Sequence, residues 1–207
     1  MTKVKICGIT NLNDALVSIE AGAFALGFNF YPRSPRYIDP QSARNIIDAL
    51  PEHVMSVGVF VNEAEPETVA LLADIAGVGA IQLHGDESPE YCLSLRDRFL
   101  IKALRIDSNF TPGRAIEFKT QAILLDAFSP AAYGGTGHTA DWSLARKTCD
   151  LVPKLFLAGG LTPENVGEAI SVVRPYAVDA CSCLESSPGQ KDAPLIRAFL
   201  ANALSAC

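Results

Sequence analysis

The chain has 207 residues and a mass of 22.1 kDa, which predicts one domain over residues 1–207 with a substantial buried core. Apolar residues make up 49% and charged residues 19% of the chain, a balance that excludes a disordered protein. The net charge of −6 argues against a basic nucleic-acid-binding surface, so we expect no nucleic-acid partner, while a local cationic pocket for a small anion remains compatible with it.

The N-terminal segment and the cysteine spacing predict a cytoplasmic protein without metal or membrane attachment. Residues 1–8 lack the apolar stretch and cleavage site of a secretory signal, and no apolar run is long enough to cross a bilayer. The six cysteines form no CxxC pair and no zinc-finger spacing, which predicts reduced thiols and no metal site. They are Cys7, Cys92, Cys149, Cys181, Cys183 and Cys207.

Eight short apolar runs, rich in Val, Ile, Leu and Phe, recur about every 25 residues and predict β-strands. They are residues 4–7, 25–29, 55–61, 80–84, 100–104, 122–126, 155–158 and 177–181. Helix-period segments separate them, as expected of βα units. Eight such units in one chain of this length favour a (β/α)₈ TIM barrel over a doubly wound open sheet, which usually has fewer strands.

Helix starts and ends are marked by capping residues between these runs. Asp39-Pro40, Ser88-Pro89 and Thr162-Pro163 each combine an N-cap residue with proline at the first helical position. Gly22 and Gly77 are predicted at helix C-termini. Residues 109–118 are the weakest helix prediction, because Pro112 and Gly113 interrupt them.

Polar side chains cluster at the predicted strand ends, where a barrel carries its active site. Cys7 ends the first strand and Asp126 the sixth. A thiolate can act as a base, and a carboxyl group can deliver a proton, so we predict these two residues as a catalytic base and acid. Either residue alone would more often be structural. His84 and Asp179, at the fourth and eighth strands, are predicted to contact the substrate.

A phosphate site is predicted at the seventh and eighth strands, where barrels commonly bind phosphate through backbone N–H groups. Its predicted residues are Gly159, Gly160, Ser182 and Cys183. Arg36 lies on a stiff proline-rich loop, where it either forms a bidentate pair with a carboxylate or is a solvated surface residue. The glycine-rich residues 129–141 follow Asp126 and are either a lid over the substrate or a flexible connection.

Several motifs in chain order resemble the phosphoribosylanthranilate isomerase family. They are KICGIT (5–10), SPRY (34–37), GVFVN (58–62), QLHG (82–85), LLD (124–126), GGTG (134–137) and GGL (159–161). The resemblance covers essentially the whole chain. It implies an isomerase of tryptophan biosynthesis that needs no cofactor, acts on a small phosphorylated substrate and is a monomer or homodimer.

The resemblance also implies residue roles. Asp126 would protonate the ribose ring oxygen of N-(5′-phosphoribosyl)anthranilate, and Cys7 would remove the proton from C2′ of the resulting Schiff base. The enolamine would then become the ketone, 1-(o-carboxyphenylamino)-1-deoxyribulose 5-phosphate. Arg36 would hold the anthranilate carboxylate, and the loops at Gly160 and Ser182 the phosphate.

The eighth strand departs from the family pattern. Cys181 stands where the family usually has serine, and Cys183 where it usually has glycine, which would narrow the phosphate pocket or strain the backbone. Because the eighth strand of a barrel neighbours the first, a disulfide or a soft-metal site with Cys7 is an alternative. Rival functions are the related isomerase of histidine biosynthesis, a dual-substrate enzyme, and a phosphate-ligand binder without catalysis.

Overall fold

The computed structural model describes residues 1–126 and 142–206, and within them eight parallel strands close into a barrel in the order of the chain. The strands are β1 Lys3–Cys7, β2 Ala25–Asn29, β3 Met55–Phe60, β4 Ala80–Leu83, β5 Leu100–Arg105, β6 Ala122–Asp126, β7 Leu155–Ala158 and β8 Ala177–Ala180. All eight predicted strands are present, with ends that differ by one residue at most. The predicted (β/α)₈ TIM barrel is confirmed.

Helices separate the strands and cover the outside of the barrel. They are α1 Leu12–Glu20, α2 Pro40–Ile47, α3 Pro66–Ala76, α4 Pro89–Ser94, α5 Arg114–Glu117, α6 Trp142–Cys149, α7 Val166–Val173 and α8 Ala193–Ser205. The segment over residues 109–118, which was expected to be a weak helix, holds only the four-residue α5. A 3₁₀ helix, Ser182–Leu184, and a hairpin of β9 Glu185–Ser187 and β10 Gln190–Lys191 lie between β8 and α8.

The predicted N-caps are confirmed at two of the three helix starts. The Asp39 and Ser88 side chains accept hydrogen bonds from the backbone N–H of Ser42 and Tyr91, as N-caps do. The third start was wrong: α7 begins at Val166 rather than Pro163. Its N-cap is Asn165, whose side-chain oxygen accepts a hydrogen bond from the Thr162 N–H and thereby keeps residues 163–165 in a turn.

Two layers of apolar side chains make the core. The larger lies between the barrel and its helices, and the smaller fills the barrel interior with residues such as Val57, Leu124 and Phe156. Polar groups then occupy the other end of the interior, at the carboxyl ends of the strands. No helix among the described residues is long and apolar enough to span a membrane. Residues 129–141 and Cys207, which figure in the predictions, lie outside the described residues.

Candidate active site

A cavity of about 430 Å³ opens at the carboxyl ends of the strands. All nine predicted site residues line it: Cys7, Arg36, His84, Asp126, Gly159, Gly160, Asp179, Ser182 and Cys183. Barrel closure explains this convergence, because it brings the ends of strands that are distant in sequence to one rim. The strand ends and the loops after them predicted this grouping for all of these residues except Arg36, which was predicted from its proline-rich loop, and the individual roles stay predictions.

Cys7 lies in the wall of this cavity beside an ion pair that the sequence analysis missed. Lys5 and Cys7 both face inward on β1, because side chains two residues apart point to the same side of a strand. The Lys5 ammonium is fully buried and donates a hydrogen bond to Asp179 on β8 over 2.9 Å. The residue facing both from β2 is Gly27, where a Cβ atom would come within 2.7 Å of the Cys7 sulfur.

This environment favours the thiolate form of Cys7. The pKa of Cys7 lies well below its ordinary value, chiefly because of the adjacent Cys181 thiol. Burial opposes this shift, whereas the positive charges of Lys5 and Lys191 support it. Lys5 itself keeps its proton: burial disfavours its charge, but Asp179 and Cys7 outweigh burial and raise its pKa. A buried thiolate beside a fixed ammonium can accept a proton.

Asp179 is the opposite case, a carboxyl group that takes up a proton at a higher pH than usual. Burial raises the pKa of Asp179 to about 7, and the charge of Cys7 acts in the same direction, while Lys5 acts against it. Two titratable groups whose pKa values are pushed in opposite directions therefore share one ammonium. Such divergence is typical of acid–base sites.

His84 presents a neutral imidazole to the cavity. Burial lowers its pKa, and its Nδ1 atom lies 2.7 Å from the Gln82 side-chain nitrogen. With the Gln82 amide donating, Nδ1 accepts, and the ring proton is then on Nε2. The Gln82 side-chain oxygen is buried and has no partner among the described residues. Asp126, half-buried at the end of β6, completes the polar wall.

The loop after β7 offers backbone N–H groups to an anion. Gly159 and Gly160 have φ values of 90° and 64°, which side-chain-bearing residues rarely adopt. Asn165 fixes the loop by donating a hydrogen bond to the Gly160 carbonyl over 2.9 Å. Within residues 1–126 and 142–206, no protein acceptor takes a hydrogen bond from the N–H of Gly160 or of Ser182. These two N–H groups suit a phosphate oxygen.

Cys183 does not strain this loop. Its φ is negative, and it lies inside the 3₁₀ helix rather than at a glycine-only conformation, so the concern about backbone strain was wrong. Its side chain packs partly against the large core cluster, and burial raises the pKa of its thiol to about 11. The 3₁₀ helix, which the sequence analysis did not predict, gives residue 183 a backbone conformation that cysteine adopts without strain.

Arg36 is held by a carboxylate of the chain itself. Its Nε and Nη2 atoms donate hydrogen bonds to Glu185 over 2.7–3.0 Å, a bidentate pair. Glu185 also accepts a hydrogen bond from Lys191 over 3.0 Å. Of the three guanidinium nitrogens, Nη1 is the one with no partner among the described residues. A bidentate pair was one of the two alternatives for Arg36, and Glu185 was not predicted as its partner.

The described cysteines are all free thiols, Cys7, Cys181 and Cys183 among them, so the structure contains no disulfide of the kind considered above. Over the described ranges, no cluster of three or more His, Cys, Asp or Glu side chains is arranged to hold a metal ion. The site as described thus consists of side-chain acids and bases with backbone donors.

The fold and this site define a (β/α)₈-barrel enzyme. A family model described as N-(5′phosphoribosyl)anthranilate (PRA) isomerase matches residues 4–202. The N-(5′-phosphoribosyl)anthranilate isomerase of Trichlorobacter lovleyi is 50% identical over 206 residues, which cover 100% of both chains. This chain therefore belongs to the N-(5′-phosphoribosyl)anthranilate isomerase family.

Solved structures agree with this family. The phosphoribosyl anthranilate isomerase of Thermotoga maritima superimposes with a TM-score of 0.91 at 49% identity, covering 99% of this chain and 100% of the other. Two more structures share a TM-score of 0.88, 46% identity and the same coverage. One is a complex with reduced 1-(o-carboxyphenylamino)-1-deoxyribulose 5-phosphate. The other shows monomers generated from the dimeric isomerase of Thermotoga maritima.

Proposed function

We propose that this chain isomerises N-(5′-phosphoribosyl)anthranilate to 1-(o-carboxyphenylamino)-1-deoxyribulose 5-phosphate, a step of tryptophan biosynthesis. The observation that carries the proposal is the meeting of Cys7, Asp126 and the Gly160 and Ser182 N–H groups in one cavity. Family membership supports the choice of substrate.

The reaction needs one proton delivered and one removed. Asp126 donates a proton to the ribose ring oxygen, and cleavage of the C1′–O bond leaves a Schiff base on the anthranilate nitrogen. The Cys7 thiolate removes the C2′ proton, and the electron pair moves toward that nitrogen to give the enolamine. The enolamine then takes up a proton at C1′ while its 2′-hydroxyl group loses one, and it becomes the ketone. The substrate nitrogen is the electron sink in this scheme, so the proposal includes no cofactor.

The remaining predicted residues bind and orient the substrate. Gly159, Gly160, Ser182 and Cys183 hold the phosphate, and the Nη1 atom of Arg36 is available to the anthranilate carboxylate. His84 and Asp179 contact the ribose portion from the cavity wall. The partner is therefore a small phosphorylated molecule. A homodimer is the favoured assembly, since a relative is described as dimeric, and sedimentation analysis tests it.

A coupled assay that generates phosphoribosylanthranilate in situ tests the proposal. We expect turnover by the wild type and losses of about a hundredfold to ten-thousandfold in kcat for Cys7→Ala and for Asp126→Asn, as when a general acid or base is removed. Cys149→Ser, on α6 outside the cavity, serves as the matched control and keeps wild-type turnover. Thermal stabilisation by the product without any conversion would instead identify a ligand binder.

A further inference from the structure

Cys181 lies beside Cys7 on the neighbouring strand and faces the same cavity. In the register of β1 and β8, Lys5 pairs with Asp179 and Ile6 with Ala180, so Cys181 is the next residue opposite Cys7. Lys5 and Asp179 meet inside the barrel, and Cys7 and Cys181, two residues further on, face the same way. The Cys181 sulfur also lies 3.0 Å from the Cβ position of residue 8, directly beside Cys7.

The contacts of Cys181 decide which way its single thiol hydrogen points. Glu185 Oε1 lies 4.0 Å from the Cys181 sulfur, at the limit for a hydrogen bond from sulfur, and this carboxylate already accepts from Arg36 and Lys191. The Cys7 sulfur lies on the neighbouring strand and faces the same cavity, with the Lys5 ammonium as its other nearby donor. A carboxylate that already accepts from two cations gains little from a thiol, so the Cys181 hydrogen is better directed at the Cys7 sulfur.

We propose that Cys181 is a positioning residue for Cys7: its thiol donates a hydrogen bond that orients the Cys7 sulfur toward the cavity and stabilises its thiolate form. This inference rests on the proposed role of Cys7 as the base. Serine at position 181 can donate the same hydrogen bond through its hydroxyl group, whereas alanine cannot. The requirement at this position is thus a donor, and cysteine meets it.

Other charges around Cys7 stay in place when the Cys181 side chain is shortened. The cations are Lys5 on β1, Arg36 after β2 and Lys191 on β10; the acids are Asp126 on β6, Asp179 on β8 and Glu185 on β9. His84, directly after β4, is neutral. Lys191 lies 3.9 Å from the Cys181 sulfur, but the backbone oxygen of residue 181 and Glu185 hold it over 3.0 Å each, and these two contacts do not need the thiol. A change in the ionisation of Cys7 in the Cys181→Ala variant therefore reports the loss of the thiol as a hydrogen-bond donor.

The test compares the pH dependence of kcat/KM for the wild type, Cys181→Ser and Cys181→Ala, with Cys149→Ser as control. We expect the acid limb of Cys181→Ala to move up by about one to two pH units, because a hydrogen bond to a charged group changes an equilibrium by about tenfold to a hundredfold. Its kcat falls while KM stays nearly constant. Cys181→Ser and Cys149→Ser keep the wild-type acid limb.

Thiolate absorbance near 240 nm gives an independent readout, taken as the difference between each protein and its Cys7→Ser counterpart. The Cys7 titration should shift upward in Cys181→Ala, and in Cys181→Val if the alanine variant does not fold. A Cys7 titration that is unshifted in both Cys181→Ala and Cys181→Val would overturn the inference. A Cys7 titration that shifts in Cys181→Ser as far as it does in Cys181→Ala would also overturn it. This readout needs no turnover, so a wild type that fails to isomerise phosphoribosylanthranilate would reject the proposed function separately.

Discussion

Asp179 makes the stability of the fold depend on pH in the direction opposite to that of most carboxylates. Burial raises its pKa to about 7, against 3.8 for the ordinary group. Between these values the folded state binds the proton more tightly than the unfolded chain does. The stabilisation is therefore fully present below about pH 4 and is lost as the pH rises through about 7. Asp179→Asn, which has nearly the same shape and no titration, removes this dependence.

The size of the effect follows from the two pKa values. Proton binding by Asp179 contributes roughly 3 kcal/mol at about pH 5 and almost nothing at about pH 7.5. The wild type therefore loses roughly 2–3 kcal/mol of unfolding free energy from this residue over that interval. Cys7 and His84 titrate in both proteins, whereas Lys5 loses its counter-charge in Asp179→Asn, which lowers the stability of the variant at every pH of this interval. The quantity to compare is the difference between the wild-type and variant slopes.

Urea unfolding followed by Trp142 fluorescence measures this difference, because Trp142 is the only tryptophan and is buried. From about pH 5 to about pH 7.5, the unfolding free energy of Asp179→Asn should fall by roughly 2–3 kcal/mol less than that of the wild type. Asp74→Asn is the control: Asp74 is exposed, pairs with Arg98 and has a lowered pKa, so it stays ionised across this interval. Parallel pH profiles for the wild type and Asp179→Asn would refute the reasoning.

Three more predictions concern the core, the anion loop and the thiols. Glu87→Gln should cost about 3–5 kcal/mol of unfolding free energy in urea titrations, because the buried Lys102 ammonium, 2.7 Å away, loses its counter-charge; an unchanged midpoint would contradict this. Gly160→Ala should weaken the binding of inorganic phosphate in calorimetry. It should also lower the free energy of unfolding by about 1–2 kcal/mol, because the φ of Gly160 is 64°. Gly113→Ala is the control, since Gly113 has open space around it and the substitution should change neither quantity. Iodoacetamide near pH 7 should modify Cys7 before the cysteines of α4 and α6, whose pKa values are raised by burial; peptide mass spectrometry showing the reverse order would contradict the thiolate assignment.

The sequence was sufficient for the barrel and for the grouping of the site. Each strand is a short apolar run bounded by turn residues, and closure of the barrel needs no further information to bring Cys7 and Asp126 to one rim. The helix ends were harder, because side-chain bonds such as that from Thr162 to Asn165 decide where α7 begins. Those bonds depend on loop geometry that a linear pattern does not contain.

The charged residues inside the barrel were the main omission. Lys5 and Lys102 interrupt apolar strands, and side-chain alternation places Lys5 on the same face as Cys7, so the signal was present in the sequence. Their partners, Asp179 and Glu87, lie on other elements and emerge only from the register and from the loops. Similarly, the pairing of Arg36 with Glu185 joins residues 149 positions apart.

Cys181 and Cys183, the two unusual cysteines after β8, have separate physical consequences although they are only two residues apart. The chain leaves the strand at Ala180 and turns into the 3₁₀ helix at Ser182, so the inward alternation continues to Cys181 and ends there. Cys181 therefore meets Cys7, whereas Cys183 packs partly against the core and leaves the Ser182 N–H available to an anion. At residue 181 the departure from the family pattern thus keeps a hydrogen-bond donor beside Cys7, whereas at residue 183 it changes the side chain of the loop after β8. Substitutions at residue 181 should for this reason change kcat, whereas substitutions at residue 183 should change phosphate affinity.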